Sequence, residues 1–174
     1  MLETTVDPLT LRRVLGRFAT GVVVVTTRTG EGHPVGMTMN SFTSVSLDPP
    51  LVLYSVSRSS QLHRPLVDAP GFAINVLTEA QKDLSLRFAK PGFDRFGALA
   101  HTQGDLGVPV LPGALAVIEC ETQLVTEAGD HDLVLGRVIA LTTDPEIRCE
   151  PLVFFSGAYR RLDNQYTDWW TAFT

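Results

Sequence analysis

Between Gly36 and Leu51 the chain reads GMTMNSFTSVSLDPPL, and its Ser, Thr and Asn residues come in two bursts: Thr38, Asn40 and Ser41, then Thr43, Ser44 and Ser46. Hydroxyls, an amide and free backbone N–H groups donate hydrogen bonds without adding charge, which suits a planar, heteroatom-rich ligand that carries a phosphate. The plainer reading is a serine-rich β-hairpin facing water. A second polar set follows at Ser57, Arg58, Ser59 and Ser60. Three hydroxyls and a guanidinium at the start of an expected short helix favour a phosphate dianion; the plainer reading is an ordinary capping serine beside a solvated arginine. His131, next to a Gly129-Asp130 turn, reads in isolation as a polar turn residue. His33, His63 and His101 are scattered through turns and loops and suggest no metal.

The elements that must hold these groups follow from periodicity and punctuation. Asp7 can cap a helix with Pro8 at its first position, on which Leu11, Val14, Leu15 and Phe18 recur at helical spacing before Gly21 ends it. Val22 to Thr27 is a continuous apolar strand run, and a Gly30 to Gly32 turn returns the chain through Val35 to Met39 as a hairpin. Ser44 to Ser46 and Leu51 to Ser57 read as two more strands around the Asp48-Pro49-Pro50 break. Ser59 or Ser60 could cap a short helix stopped near Pro65, and Phe72 to Leu77 is the next strand. Thr78 and Gln81 form a T-x-x-Q capping box opening a helix that carries Leu84 and Phe88 and stops at Lys90-Pro91-Gly92. A loop of about two dozen residues leads to Leu115. Leu115 to Thr126, His131 to Thr142 and Leu152 to Phe155 complete the strands. The expected fold is mainly β: many strands joined by short turns, with helices at three places, as in a closed antiparallel barrel with peripheral helices. No GxGxxG follows a strand, which argues against a dinucleotide-binding doubly wound sheet.

Composition narrows the function classes. A chain of 174 residues fits one domain with enough apolar content for a core without metal or disulfide support. A formal charge of −5 argues against a nucleic-acid groove, and the Arg12-Arg13 and Arg160-Arg161 pairs do not change that. Cys120 lies in an apolar alternation and Cys149 in a polar loop, without CxxC spacing, so neither a redox dithiol nor a zinc site is expected. The N-terminus MLETTVDPLTLRR lacks an apolar core after a basic start, and no apolar run approaches about 18 residues, so the expectation is a cytoplasmic protein with no membrane association. Residues 1–162 are read as the domain, and 163–174, with Tyr166, Trp169, Trp170 and Phe173, as an aromatic tail that docks on its own barrel or on a second subunit.

Taken together, GRFATGVVVVTT (Gly16 to Thr27), GMTMNSFTSVSLDPPL (Gly36 to Leu51), FAINVL (Phe72 to Leu77), GDH (Gly129 to His131) with Gly136-Arg137-Val138, and PLVFFSGAY (Pro151 to Tyr159) resemble the short-chain flavin reductases. These are the reductase components of two-component flavin-dependent monooxygenases. The resemblance runs in order from about residue 10 to residue 162. It implies a split β-barrel of Greek-key type that forms a homodimer and binds FMN or FAD across the dimer cleft, with NADH or NADPH as reductant. It also implies a transient partner monooxygenase.

The residue reading and the resemblance meet at the site. A flavin ring carries N and O atoms along one edge and becomes anionic there on reduction, so neutral donors aimed at that edge stabilise the reduced form. Thr38, Asn40, Ser41 and Ser44 are placed around the ring and ribityl chain, with Met39 and Val45 as cofactor-binding positions in the same segment. Ser57, Arg58, Ser59 and Ser60 are assigned to the flavin phosphate. Phe93, Asp94, Arg95 and Phe96 resemble the family segment that closes over the flavin, with Phe93 and Arg95 as contacts. Within the GDH signature, His131 is implied to position the nicotinamide, while Asp130 shapes the turn. Tyr159 contributes to the same pocket or packs on the barrel. Two other readings stay open: a flavoprotein of this fold that keeps its flavin and acts itself as oxidase or monooxygenase, with the tail over the ring, and a non-catalytic flavin-binding protein.

Overall fold

The computed structural model describes residues 6–91, 95–144 and 149–162. In chain order these form α1 (Pro8–Leu15), β1 (Thr20–Gly21), β2 (Val23–Arg28), β3 (Pro34–Met39), β4 (Thr43–Leu47), β5 (Pro50–Ser57), α2 (His63–Val67), β6 (Gly71–Val76), a 3-10 turn (Glu79–Gln81), α3 (Lys82–Ala89), β7 (Thr102–Gln103), β8 (Pro109–Val110), β9 (Ala116–Ala128), β10 (His131–Thr143), β11 (Val153–Phe155) and β12 (Ala158–Arg160). Phe93 and Asp94 of the expected flavin-covering loop, and the aromatic tail from Asp163 onward, lie outside the described residues.

Seven strands make one antiparallel sheet in the order β3-β2-β6-β9-β10-β5-β4. Its two outer strands are consecutive in sequence, joined only by Asn40, Ser41 and Phe42. Three residues reach on the order of 10 Å, so the sheet has to curl until its edges nearly meet. No ladder joins β3 to β4, and the gap between them is the split of a split barrel. Ser41 ties the connection to β5: its Oγ donates to the Ser55 carbonyl at 3.0 Å and accepts from the Ser55 N–H at 3.1 Å.

β2 shows why the Val run has no polar alternation. Val23 and Val25 face the barrel interior with Met39, Val52, Tyr54, Val56, Phe72, Ile74 and Val134. Val22 and Val24 face a second core with Leu77, Phe88, Phe96, Leu111 and Leu152 beneath α3. A strand covered on both sides reads as continuously apolar. Buried Asn75 joins the layers: its Nδ2 donates to the Val24 carbonyl and Thr26 Oγ1, both at 3.0 Å, and its Oδ1 accepts from Leu111 N–H at 2.8 Å. This anchors the long connection, which carries the two-residue strands β7 and β8.

The helices depart from the sequence expectation at two ends. Asp7 Oδ2 does cap α1, accepting from Thr10 N–H at 2.8 Å, but the helix stops at Leu15 rather than running to Gly21. Residues beyond it are drawn into tertiary pairing: Gly16 O accepts from Ser156 N–H at 2.8 Å, and Thr20–Gly21 pairs with β11. α2 begins at His63, after the expected Ser59 or Ser60, and Leu62 at its N-cap makes no side-chain cap bond. Pro65 falls inside it, tolerated because a first-turn N–H has no intrahelical partner to lose. The Thr78–Gln81 capping box forms, opening the 3-10 turn that leads into α3.

β9 and β10 are joined by the Gly129-Asp130 turn, with Gly129 at φ 67°. In β10, Gly136 lies over the ring of Phe72, and an added Cβ would meet Phe72 Cζ and the Cβ of Cys120. Cys120 is buried, and desolvation, aided by the Glu119 charge, pushes its thiol up to about 12. Gly136→Ala therefore overpacks the barrel interior, with an expected loss of about 3 kcal/mol in urea unfolding.

Candidate functional site

The polar residues gather in two groups on opposite faces of β3. Thr38 points toward α3, where its Oγ1 donates to the Ser85 carbonyl at 2.7 Å. Ser85 is fully buried, and its own hydroxyl lies 2.7 Å from Tyr159 Oη. Thr38, Met39 and Asn40 line a cavity of about 180 Å³ together with Val22, Ala89, Phe154 and Tyr159. Phe154 and Tyr159 meet edge to face at 5.6 Å, and Lys82 Nζ stands 6.0 Å from the Tyr159 ring. The Ser156-Gly157 turn, with both φ positive, brings Tyr159 back antiparallel to Phe154.

Met37, one residue before Thr38, points the other way, and its sulfur is 3.5 Å from Ser60 Oγ. Here lies the second group. Ser57 Oγ and Ser59 Oγ are 2.9 Å apart, and Ser59 N–H donates to Ser57 Oγ at 3.3 Å. β5 and β10 pair Ser57 with His131, and Arg58 N–H donates to the Asp130 carbonyl at 3.0 Å. The serine turn and the GDH turn are thus neighbours. His131 Nδ1 hydrogen-bonds Asp130 Oδ1 at 2.7 Å, and that bond, with the imidazole charge, holds the Asp130 carboxyl below its ordinary range.

The donors beyond the split are open to solvent. Asn40, Ser44 and Val45 are exposed, while Ser41 is half-buried in its bond to β5. Val45 is the extra residue of a β-bulge between the Ser44–Val52 and Ser46–Leu51 pairs, which turns the edge strand's side chains off the regular alternation. Arg95 does not face either group: its guanidinium donates to the Gly36 carbonyl at 2.7 Å and the Lys90 carbonyl at 2.9 Å, and burial lowers its pKa. It ties the loop after α3 to β3 at the start of the GMTMNS segment.

Three residues of this neighbourhood escaped the sequence reading. Ser85 gave no signal, being a polar residue on a helix face. His63 reads in the sequence as one of the scattered histidines, yet its Nε2 is 2.7 Å from Asp132 Oδ2, with the His63 side chain 16% and the Asp132 side chain 9% exposed. Asp132 could have been found: in a strand with period two it falls on the same face as Val134, and a carboxylate facing the core requires a partner.

The curled sheet with its split defines a split-barrel domain. The model for the flavin reductase like domain matches residues 15–163, and the chain belongs to that family. A probable flavin reductase of Rhizobium meliloti is 49% identical over 140 residues, 80% of this chain; the chain spans 45% of that longer relative. The reductase subunit HsaB of a flavin-dependent monooxygenase from Mycobacterium tuberculosis is 38% identical over 95% of the chain and 88% of its own length. Among solved structures, the Streptomyces globisporus NADH:FAD oxidoreductase SgcE6, in complex with NAD and FAD fragments, superposes with a TM-score of 0.85 at 41% identity, covering 92% of this chain and 96% of that one.

Ser85 and Tyr159 act as one unit beneath Thr38. Tyr159→Phe is expected to cost about 1 kcal/mol, since the Ser85 hydroxyl can turn back to a carbonyl one helical turn earlier. Ser85→Ala and the double variant complete the cycle, and urea unfolding is expected to show a coupling of about 1 kcal/mol between the two positions.

Proposed function

We propose that the chain is an NAD(P)H:flavin oxidoreductase that takes FMN or FAD as its flavin and passes the reduced product to a separate monooxygenase. The observation that carries the reading is the row of uncharged donors from Thr38 to Ser46, set where the sheet edges face each other, in a chain whose residues 15–163 match the flavin reductase like domain. That donor set fits a flavin: amide and hydroxyl groups for the polar edge of the ring, and three hydroxyls with Arg58 for the phosphate. When bound, the flavin supplies a ring that accepts a hydride from reduced nicotinamide.

The chain's own contribution is binding and orientation. Thr38, Met39, Asn40, Ser41, Ser44 and Val45 hold the ring and ribityl chain; Asn40, Ser44 and backbone N–H groups are the neutral donors that favour the charge reduction adds, since the Thr38 and Ser41 hydroxyls already donate to the Ser85 and Ser55 carbonyls. Ser57, Ser59 and Ser60 with Arg58 seat the phosphate through their hydroxyls and guanidinium; α2 is too short and starts too late to add its amides. Arg95 fixes the chain after α3 against β3, and Tyr159 closes the cavity beside Thr38. His131 positions the nicotinamide without exchanging a proton with it, since hydride transfer needs only correct spacing of two rings. Rhizobium meliloti and Mycobacterium tuberculosis relatives carry reductase names, and the HsaB name supports a monooxygenase partner.

A homodimer completes the site. Leu9, Leu11, Val14 and Leu15 on α1, together with Phe18, are exposed, and α1 buries none of its residues within the chain. An amphipathic helix without an internal partner supports a second copy over this face. No described helix is long and apolar enough to cross a membrane, in keeping with a cytoplasmic location. The reading in which the protein keeps its flavin leaned on the aromatic tail, which lies outside the described residues.

The test is oxidation of NADH and of NADPH by the purified protein with added FMN, with added FAD and without flavin. Saturation with free flavin is the expected result; a bound flavin that neither nicotinamide reduces would refute the reading. His131→Ala is expected to raise the nicotinamide KM about tenfold with little change in kcat, the pattern of lost positioning rather than lost chemistry. Sedimentation is expected to show a dimer, and charged residues at Leu11 and Val14 are expected to shift it to monomer.

A further inference from the structure

Behind the serine turn lies a cluster that hydride transfer does not use. Asp132 is 7% exposed; its Oδ2 is bonded to His63 Nε2 at 2.7 Å, and its Oδ1 has no hydrogen-bond partner among the described residues. Arg58 Nε stands 3.8 Å from that bare oxygen, inside ion-pair range and outside hydrogen-bond range. The same guanidinium gives Nη2 to Glu127 on β9 at 2.7 Å. A buried carboxylate oxygen without a donor is costly, so Arg58 is under a standing pull toward Asp132. Yet Arg58 sits between Ser57 and Ser59, in the turn assigned to the flavin phosphate.

We propose that Asp132 and the flavin phosphate compete for Arg58, and that the charge on His63 decides the competition. The proposal rests on the reading of Ser57 to Ser60 as the phosphate seat. With His63 protonated, Asp132 has a counter-ion at contact, its net pull on Arg58 largely disappears, and the guanidinium turns to the phosphate. With His63 neutral, the imidazole satisfies one oxygen by hydrogen bonding but cancels no charge, and Asp132 retains Arg58. The contribution of the phosphate to flavin affinity therefore depends on the charge that His63 carries. The other charged groups facing the cluster are Glu127, already paired with Arg58, and Asp130 and His131, paired with each other at the turn. His63 is thus a positioning residue, acting on the ligand through Asp132 and Arg58.

FMN and riboflavin share ring and ribityl chain and differ in the phosphate, so the ratio of their dissociation constants isolates the effect. Flavin fluorescence titrations of the full chain from about pH 6 to about pH 8 would compare wild type, His63→Gln, Asp132→Asn and the double variant. His63→Gln is expected to weaken FMN about tenfold at the acid end, to leave riboflavin unmoved, and to lose the pH dependence that wild type shows beyond the phosphate's own titration. Adding Asp132→Asn is expected to restore FMN binding, because the competing charge is gone. A ratio identical in wild type and His63→Gln at every pH, or a double variant as weak as His63→Gln alone, would overturn the proposal. A merely structural role for His63 lowers riboflavin and FMN binding together and is not rescued at position 132, and that outcome would overturn it too. Arg58→Ala separates the two levels: if it moves FMN and riboflavin equally, the phosphate seat itself is wrong; if it is selective for FMN while His63→Gln is not, only the competition fails.

Discussion

The three residues between β3 and β4 constrain everything else in this protein. They join the two outer strands of a seven-stranded sheet, so the sheet must roll up, and they are too few to let the edges pair fully. An open edge is normally a liability, exposing unpaired N–H and C=O groups. Here the unpaired margin lies in the same stretch as Thr38, Asn40, Ser41 and Ser44, which on the proposed reading makes it the binding surface. Ser41 fixes the connection between the two strands to β5 by exchanging two hydrogen bonds with Ser55, and the Val45 bulge redirects the edge beyond it.

Rolling the sheet also divides the polar residues. β3 alternates, so Thr38 is committed to the α3 side, with Ser85 and Tyr159, while Met37 is committed to the interior side, with Ser60. Within one chain the residues proposed for the ring and those proposed for the phosphate therefore lie on opposite sides of β3. A ligand reaching both has to run along the split rather than lie in a closed pocket, and such a ligand leaves one flank uncovered. The exposed apolar residues of α1 and the solvent-facing Ser44 and Val45 are what a second subunit would cover.

Local chemistry was legible in the sequence wherever a signal is local. The Asp7 cap, the Thr78–Gln81 box, the Gly129-Asp130 turn and the Val run of β2 each follow from a few adjacent residues, and each formed. Signals that depend on distant partners failed in informative ways. The helical spacing that extends α1 to Phe18 is real, but Gly16 and Thr20 are captured by β11 and its turn, which no helical periodicity encodes. The serines before Pro65 look like caps, but Pro is tolerated in a first turn, so the helix starts later than the proline suggests. Strand order was not legible, because the pairing of β10 with β5 and of β6 with β9 joins segments remote in sequence. For that reason the meeting of the serine turn with the GDH turn, and of His63 with Asp132, came only from the structure.

The distribution of charge along the binding surface has its own logic. The side chains from Thr38 to Ser46, proposed for the ring, are neutral, and a fixed cation or anion there would bias one oxidation state strongly, since a full charge at short range in a partly desolvated cleft outweighs several neutral hydrogen bonds. Around the serine turn the charges are instead numerous: Arg58, Glu127, Asp130, His131, Asp132 and His63 all lie on or behind it. A phosphate keeps its charge whatever the state of the ring, so cations spent on it strengthen oxidised and reduced flavin alike and leave the potential untouched. If the two sets hold phosphate and ring as proposed, separating them lets the tightness of binding be adjusted through Arg58 and its carboxylates while the residues along Thr38 to Ser46 govern how readily the ring accepts a hydride. A protein that releases its reduced product needs that independence, because binding must be loose enough for departure without weakening the preference for the reduced ring.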